Sequence, residues 1–261
     1  MVTKTMPKLI TFDGEARSGK GTIVQLTKDF LRDECGYSVM LIDRGQAFRS
    51  LVVATGRSGI DIEDTDAIDA FLADPKSLDY ATEFVRDVYR MDKDEREALL
   101  YTNAVGENSA KIGARPASQA FVIGLTKKWM ENAGTEGYDV VLVDGRALEK
   151  IGREMHDEGL CEYKLGLYFT CDPLVGARRT LGFAGTQYDD LTQEDKNKVD
   201  AFIQQIQQRN QRDFERTVER LAPPASAPIY TLPALPSELP GTPPMAVIDT
   251  SAEMSKEAMA R

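Results

Sequence analysis

Residues 9–22 read Leu9-Ile10-Thr11-Phe12-Asp13-Gly14-Glu15-Ala16-Arg17-Ser18-Gly19-Lys20-Gly21-Thr22. A short apolar run gives way at once to G-x-x-x-x-G-K-G-T, and residues 21–32 then take up helical spacing. Strand, glycine-rich loop and helix start, in that order, describe one kind of site. Glycines let the backbone curl so that successive N–H groups turn toward phosphate oxygens. The helix N-terminus adds a positive dipole, and the lysine reaches the outer phosphates. The plain alternative is a glycine-rich turn beside a solvated lysine; the flanking strand and helix favour nucleotide binding. Gly14, Glu15, Ala16, Arg17, Ser18, Gly19, Lys20, Gly21 and Thr22 are therefore candidate nucleotide-binding residues. Thr22 is placed to meet the phosphates or a Mg²⁺ ion, or to stabilise the helix start. Arg17 can face a terminal phosphate or point into water.

Working outward, short apolar runs alternate with helix-period segments. Leu9-Ile10-Thr11-Phe12, Val39-Met40-Leu41-Ile42, Val140-Val141-Leu142-Val143, Leu165-Gly166-Leu167-Tyr168-Phe169 and Met245-Ala246-Val247-Ile248 read as strands. Each is apolar on both faces, as in a parallel sheet covered by helices. The expectation is an α/β fold with a parallel five-stranded sheet flanked by helices. The chain between the second and third strands is too long for one crossover helix. Its charged, helix-patterned part carries Ile68, Phe71 and Leu72, then Phe84, Val85 and Val88, and reads as a small inserted helical subdomain. Residues 194–221 read as one long helix with Val199, Phe202, Ile203 and Ile206 at core spacing. Arg209, Asp213, Arg216 and Arg220 follow along one face. Eight of the twelve prolines fall between Pro223 and Pro244, which predicts an extended surface segment over 222–244.

Composition sets limits. The chain has 261 residues, 42% hydrophobic and 28% charged, with 32 Lys+Arg against 42 Asp+Glu and a formal net charge of -10. An acidic chain lacks the broad positive field that non-specific DNA, RNA or anionic-membrane binding needs, although a local arginine cluster can still hold phosphate. No apolar run approaches the roughly 20 residues of a membrane helix. Cys35, Cys161 and Cys171 have neither disulfide nor zinc spacing. The expectation is a reduced, cytoplasmic monomer with no nucleic-acid or membrane partner. His156 reads as a solvated helix residue and Trp129 as helix core.

Further motifs narrow the chemistry. The ending G-K-G-T, Asp43-Arg44-Gly45-Gln46-Ala47-Phe48-Arg49, Asp144-Gly145-Arg146, the set Arg209, Asp213 and Arg216, and Val247-Ile248-Asp249-Thr250 occur in this order. Together the chain resembles the cytidylate kinases among the P-loop nucleoside monophosphate kinases. The resemblance implies a P-loop NTPase fold whose core spans 1–56 and 111–261, with a lid at about 179–192. Residues 57–110 would form a helical insert that binds the nucleoside monophosphate. It implies transfer of the γ-phosphoryl group of ATP, with Mg²⁺, to CMP or dCMP. Lys20, Arg146, Arg209, Arg216 and Asp43 become candidate catalytic residues. Arg49, Asp144, Arg146, Gln119, Asp213 and Arg216 become candidate substrate residues, and Arg178 a donor-nucleotide residue that closes over ATP with Arg179. On spacing alone the Arg209–Arg220 face is a solvated salt-bridge ladder, and Asp43 and Asp144 are strand-end carboxylates that cap a loop, position the acceptor or hold Mg²⁺ through water.

The sequence departs from this family where the base is read. Counting from Pro116, the family's base-contacting serine falls on Ala110 and its arginine on Gln119. The acidic residue usual after D-G-R is Ala147. Gln119, Asn103, Asn108 and Ser118 are available to read a base edge differently. In the phosphate loop Glu15-Ala16-Arg17 stands where the family has Pro-Ser-Gly. Two other readings follow: a P-loop kinase for a different nucleotide or small-molecule acceptor, or a nucleotide-binding module without transfer chemistry.

Overall fold

A computed structural model describes residues 6–253 other than 218, 235 and 237. The chain opens with β1 (Lys8–Gly14), the phosphate loop, α1 (Lys20–Asp33) and β2 (Val39–Asp43). Six helices follow: α2 (Arg44–Arg57), α3 (Thr65–Ala73), α4 (Pro75–Arg90), α5 (Lys93–Leu100), α6 (Asn103–Ile112) and α7 (Pro116–Glu136). The chain continues through β3 (Val140–Asp144), α8 (Leu148–Asp157), β4 (Glu162–Thr170), α9 (Pro173–Thr180) and α10 (Gln193–Phe214). It closes with β5 (Ile229–Thr231) and β6 (Met245–Asp249).

The strands form one sheet in the order β2-β3-β1-β4-β6-β5. Pairing is parallel between β1 and β3, β1 and β4, β4 and β6, and β5 and β6. Residues 140–143 of β3 and 245–248 of β6 are buried throughout, because helices cover both faces of the sheet. Phe12 stacks on Phe169 with ring centroids 6.2 Å apart, and Ile23, Val24, Leu142 and Ile248 share their core. This is the parallel, helix-flanked sheet of the expected P-loop fold, with two corrections.

The sheet has six strands rather than five. The added strand β5 lies inside the proline-rich segment and spans three residues between Pro228 and Pro233. Proline lacks the N–H that a ladder needs, so a strand in such a segment is short and sits at the sheet edge. The long helix also stops early, at Phe214 instead of reaching residue 221. The backbone turns back so that the Leu221 N–H donates to the Asp213 carbonyl at 2.9 Å. Leu221 is thereby buried with Phe214, Tyr168 and Val247. Arg216 and Arg220 therefore lie beyond the helix, not on its face.

The chain divides into two compact units. One comprises the residues up to Ile42 and from Met130 onward, the other Asp43–Trp129. In the second, Asp43, Asp64, Asp74, Asp92 and Thr102 each cap a helix by accepting the backbone N–H of its third residue. Leu51 and Val52 of α2 and Phe121, Val122 and Leu125 of α7 share a core with Ile68, Phe71, Val85 and Ile112. That shared core is why the unit takes in more chain on each side than 57–110. Among the described residues no helix is long and apolar enough to cross a membrane.

Leu51 is fully buried and Ile229 is 71% exposed. Leu51→Ala is expected to destabilise the protein by about 2–5 kcal/mol through lost burial and a residual cavity. Ile229→Ala should change stability by less than about 0.5 kcal/mol. Urea unfolding of the two variants checks both, and equal losses would contradict this account of the core.

Candidate functional site

The phosphate loop begins with a contact that only glycine permits. A Cβ at Gly14 would lie 2.2 Å from the Phe169 carbonyl oxygen, and its φ is +136°. Glycine thus lets the end of β1 lie flat against β4, where the Glu15 N–H donates to the Phe169 carbonyl at 2.9 Å. Gly19, with φ 81°, provides the left-handed turn into α1.

Between these glycines the loop is fastened from three sides. The Ala16 N–H donates to Asn210 Oδ1 at 2.8 Å, and Ser18 Oγ donates to the Glu15 carbonyl at 3.0 Å. Thr250 Oγ1, just after β6, donates to the Ser18 carbonyl at 2.8 Å. The Arg17 guanidinium lies 5.2 Å from the centre of the Phe202 ring on α10, while the residue stays exposed. The successive N–H groups of Arg17, Ser18 and Gly19 have no partner among the described residues. Three consecutive donors at a helix start are a concave anion site.

Charged side chains complete this unit's site. Lys20 donates to the Asp144 carboxylate and lies 3.3 Å from the Gly145 carbonyl. Arg146 donates to the Gly14 carbonyl, while its Nε lies 3.2 Å from Asp213 Oδ2. Arg216 Nη2 lies 2.9 Å from Asp213 Oδ1. One carboxylate therefore holds two guanidinium groups, although Arg216 lies outside the helix that carries Asp213. Burial pushes the Glu15 carboxyl above its usual range.

Asp13 has a structural role that the sequence reading missed. It is buried, and burial raises its pKa. Its Oδ1 accepts from the Gly14 N–H at 2.7 Å and its Oδ2 from the Leu148 N–H at 2.8 Å. It thus fixes both the loop start and the start of α8, immediately after Asp144-Gly145-Arg146. Ala147, between them, has φ 54°. Asn210 and Thr250 were also missed. Asn210 follows Arg209, where only charged positions stand out in the sequence; Thr250 ends a motif that carries the family resemblance but gives no sign of a contact to the phosphate loop.

The remaining candidates occupy distinct environments. Thr22 lies in the first turn of α1, and Arg209 is exposed on α10. Arg178 is buried and lies 3.0 Å from Glu253 Oε1, while Arg179 donates to the Ala252 carbonyl. In the second unit Asp43 caps α2 through the Gln46 N–H at 2.9 Å, and the Arg49 guanidinium sits 4.8 Å from the Tyr101 ring centre. Gln119 is 2% exposed. Its Nε2 donates to the Gly113 carbonyl and its Oε1 lies 3.5 Å from Arg44 Nη2, so its amide is engaged inside the unit. Arg44 is itself buried, a charge the sequence reading left unremarked. His156 is exposed, with Nδ1 3.1 Å from the Cys161 carbonyl.

Asp13→Ala would leave two buried N–H groups without an acceptor, each costing about 1–3 kcal/mol. The variant should therefore lose about 2–6 kcal/mol in chemical denaturation. A loss under about 1 kcal/mol would show that Asp13 does not hold these two segments together.

The sequence has counterparts among known proteins. The family model for cytidylate kinase matches residues 10–231. Cytidylate kinases of Brucella suis, Brucella ovis and Brucella abortus are each 25% identical to the chain over 224 residues, covering 85% of this chain and 83% of theirs. The matched span contains the phosphate loop, Asp144-Gly145-Arg146 and the Asp213 pair of arginines, so the chain belongs to the cytidylate kinase family and is a phosphotransferase of the nucleoside monophosphate kinase type.

Proposed function

We propose that the chain transfers the γ-phosphoryl group of ATP to the 5′-phosphate of CMP or dCMP. The carrying observation is the grouping, in one unit, of three loop N–H donors that have no partner among the described residues with Lys20, Arg146 and Arg216. An oxygen of the acceptor phosphate attacks the γ-phosphorus, the bond to the β–γ bridging oxygen breaks, and ADP and the nucleoside diphosphate leave. Catalysis of this reaction is chiefly positioning and charge stabilisation.

The donor set fits a polyphosphate, because it consists of N–H groups and cations. Arg17, Ser18 and Gly19 offer backbone donors, Lys20 a mobile ammonium, and Arg178 a further cation. Phosphate oxygens compete with the Asp144 carboxylate for Lys20. Arg146 and Arg216, pre-oriented by Asp213, stabilise charge on the phosphoryl group in flight, and Arg209 is a further cation on α10. Asp213 can also accept from a ribose hydroxyl. In the second unit Arg49 is the acceptor-phosphate candidate, and Asp43 the carboxylate that positions an acceptor oxygen or holds Mg²⁺ through water. Mg²⁺, when bound with the nucleotide, neutralises phosphate charge. No group of three or more His, Cys, Asp or Glu side chains with metal-site geometry occurs among the described residues, so the fit is to an ion held mainly by phosphates, with Thr22 as the protein's hydroxyl.

A second acceptor reading is favoured by one specific observation. Gln119, at the family's base-reading arginine position, spends its amide on Gly113 and Arg44, and Ala110 and Ala147 offer no side-chain hydrogen bond. A pocket without those partners discriminates bases differently. A coupled assay across the common ribo- and deoxyribonucleoside monophosphates separates the readings. Highest kcat/KM with CMP or dCMP supports the first; turnover confined to another acceptor supports the second.

Lys20→Ala should lower kcat by at least about 10²-fold with the far-UV circular dichroism unchanged. Near-normal turnover by that variant would remove Lys20 from the mechanism.

A further inference from the structure

We propose that Asn210 is a positioning residue that locks the phosphate loop to α10 and thereby sets affinity for the donor triphosphate. Three contacts from one helix meet two successive loop residues. Asn210 Oδ1 accepts the Ala16 N–H at 2.8 Å, in a buried pair whose residues are 8% and 6% exposed. The Ala16 methyl packs in a cluster with Val199 and Ile206. Phe202 lies under the Arg17 guanidinium. Three residues beyond Asn210 on the same helix, Asp213 holds Arg146, which in turn donates to the Gly14 carbonyl. The helix therefore fixes the loop at Gly14, Ala16 and Arg17.

The consequence lies in what each peptide can offer a ligand. The Ala16 N–H is committed to Asn210, so the donors without a partner among the described residues begin at Arg17 and run to Gly19. Tying down the Ala16 peptide fixes the direction of the next N–H groups. Without an acceptor at position 210 that buried N–H is unsatisfied, and the peptide gains by rotating toward another partner. The donors at Arg17, Ser18 and Gly19 then lose their common aim. Asparagine supplies the acceptor without placing a second negative charge beside a polyphosphate.

The inference rests on the donor-site reading above, and the test keeps the two apart. Steady-state kinetics with ATP and the preferred acceptor, together with amide hydrogen exchange at Ala16, are measured on the full chain and on Asn210→Ala and Asn210→Asp. Failure of the wild type to turn over would defeat the functional reading, while the exchange comparison bears on Asn210 alone. Asn210→Ala should raise KM for ATP about 5- to 10-fold, leave KM for the acceptor within about twofold, and speed Ala16 exchange. Asn210→Asp keeps an acceptor and should restore slow Ala16 exchange, with a KM for ATP between the other two. Unchanged Ala16 exchange in Asn210→Ala, or an equal loss in the alanine and aspartate variants, would overturn the proposal. A lowered melting temperature with both KM values moved alike would reduce Asn210 to a structural residue and would overturn it too.

Discussion

A lysine ammonium held on a carboxylate at the end of a strand is the interaction around which the phosphate site is organised. Lys20 opens α1, which follows β1, and Asp144 closes β3, the strand paired with β1. Their side chains are only 15% and 16% exposed, so both charges are substantially desolvated and each needs the other. Such a pair adds little net stability, because desolvation offsets much of the attraction. Its value is directional: the ammonium stays over the loop, and a polyphosphate, carrying more charge than one carboxylate, can draw it away.

The same logic repeats at Asp213. One buried carboxylate accepts Arg146 from the loop after β3 and Arg216 from beyond α10, holding two planar cations in fixed orientation. Guanidinium groups suit this role because each presents a fork of donors that matches phosphate oxygens. Pre-orientation matters for transfer, since charge stabilisation that requires no rearrangement during reaction is the most effective kind. The chain's net charge of -10 does not oppose this. Cations are concentrated in the site, and each carboxylate there holds a cation or a backbone N–H.

Much of this architecture is legible in the sequence because it rests on local rules. A glycine-rich loop after an apolar strand needs Gly14 and Gly19 for backbone reasons, and both are where the motif puts them. The apolar positions Ile68, Phe71, Val85 and Val88 are buried, as helical spacing requires. What escaped depends on contacts between distant segments. The short strand β5 has no periodicity of its own and exists because β6 lies beside it. Helix α10 stops at Phe214 because Leu221 finds a buried position against Tyr168, which spacing along the helix cannot reveal. Asp13, Asn210 and Thr250 act by hydrogen-bonding a loop that is remote in sequence or on another element. Gln119 shows the limit most clearly. Its polarity marked it as a base reader, whereas its amide is spent on Gly113 and Arg44.

The most direct measurement is a crystal structure of the full chain with Mg²⁺ and a non-hydrolysable ATP analogue. The account predicts the triphosphate cradled by the N–H groups of Arg17, Ser18 and Gly19, with Lys20 Nζ transferred from Asp144 to a β- or γ-phosphate oxygen. A triphosphate bound elsewhere, with the Lys20–Asp144 pair intact, would contradict it.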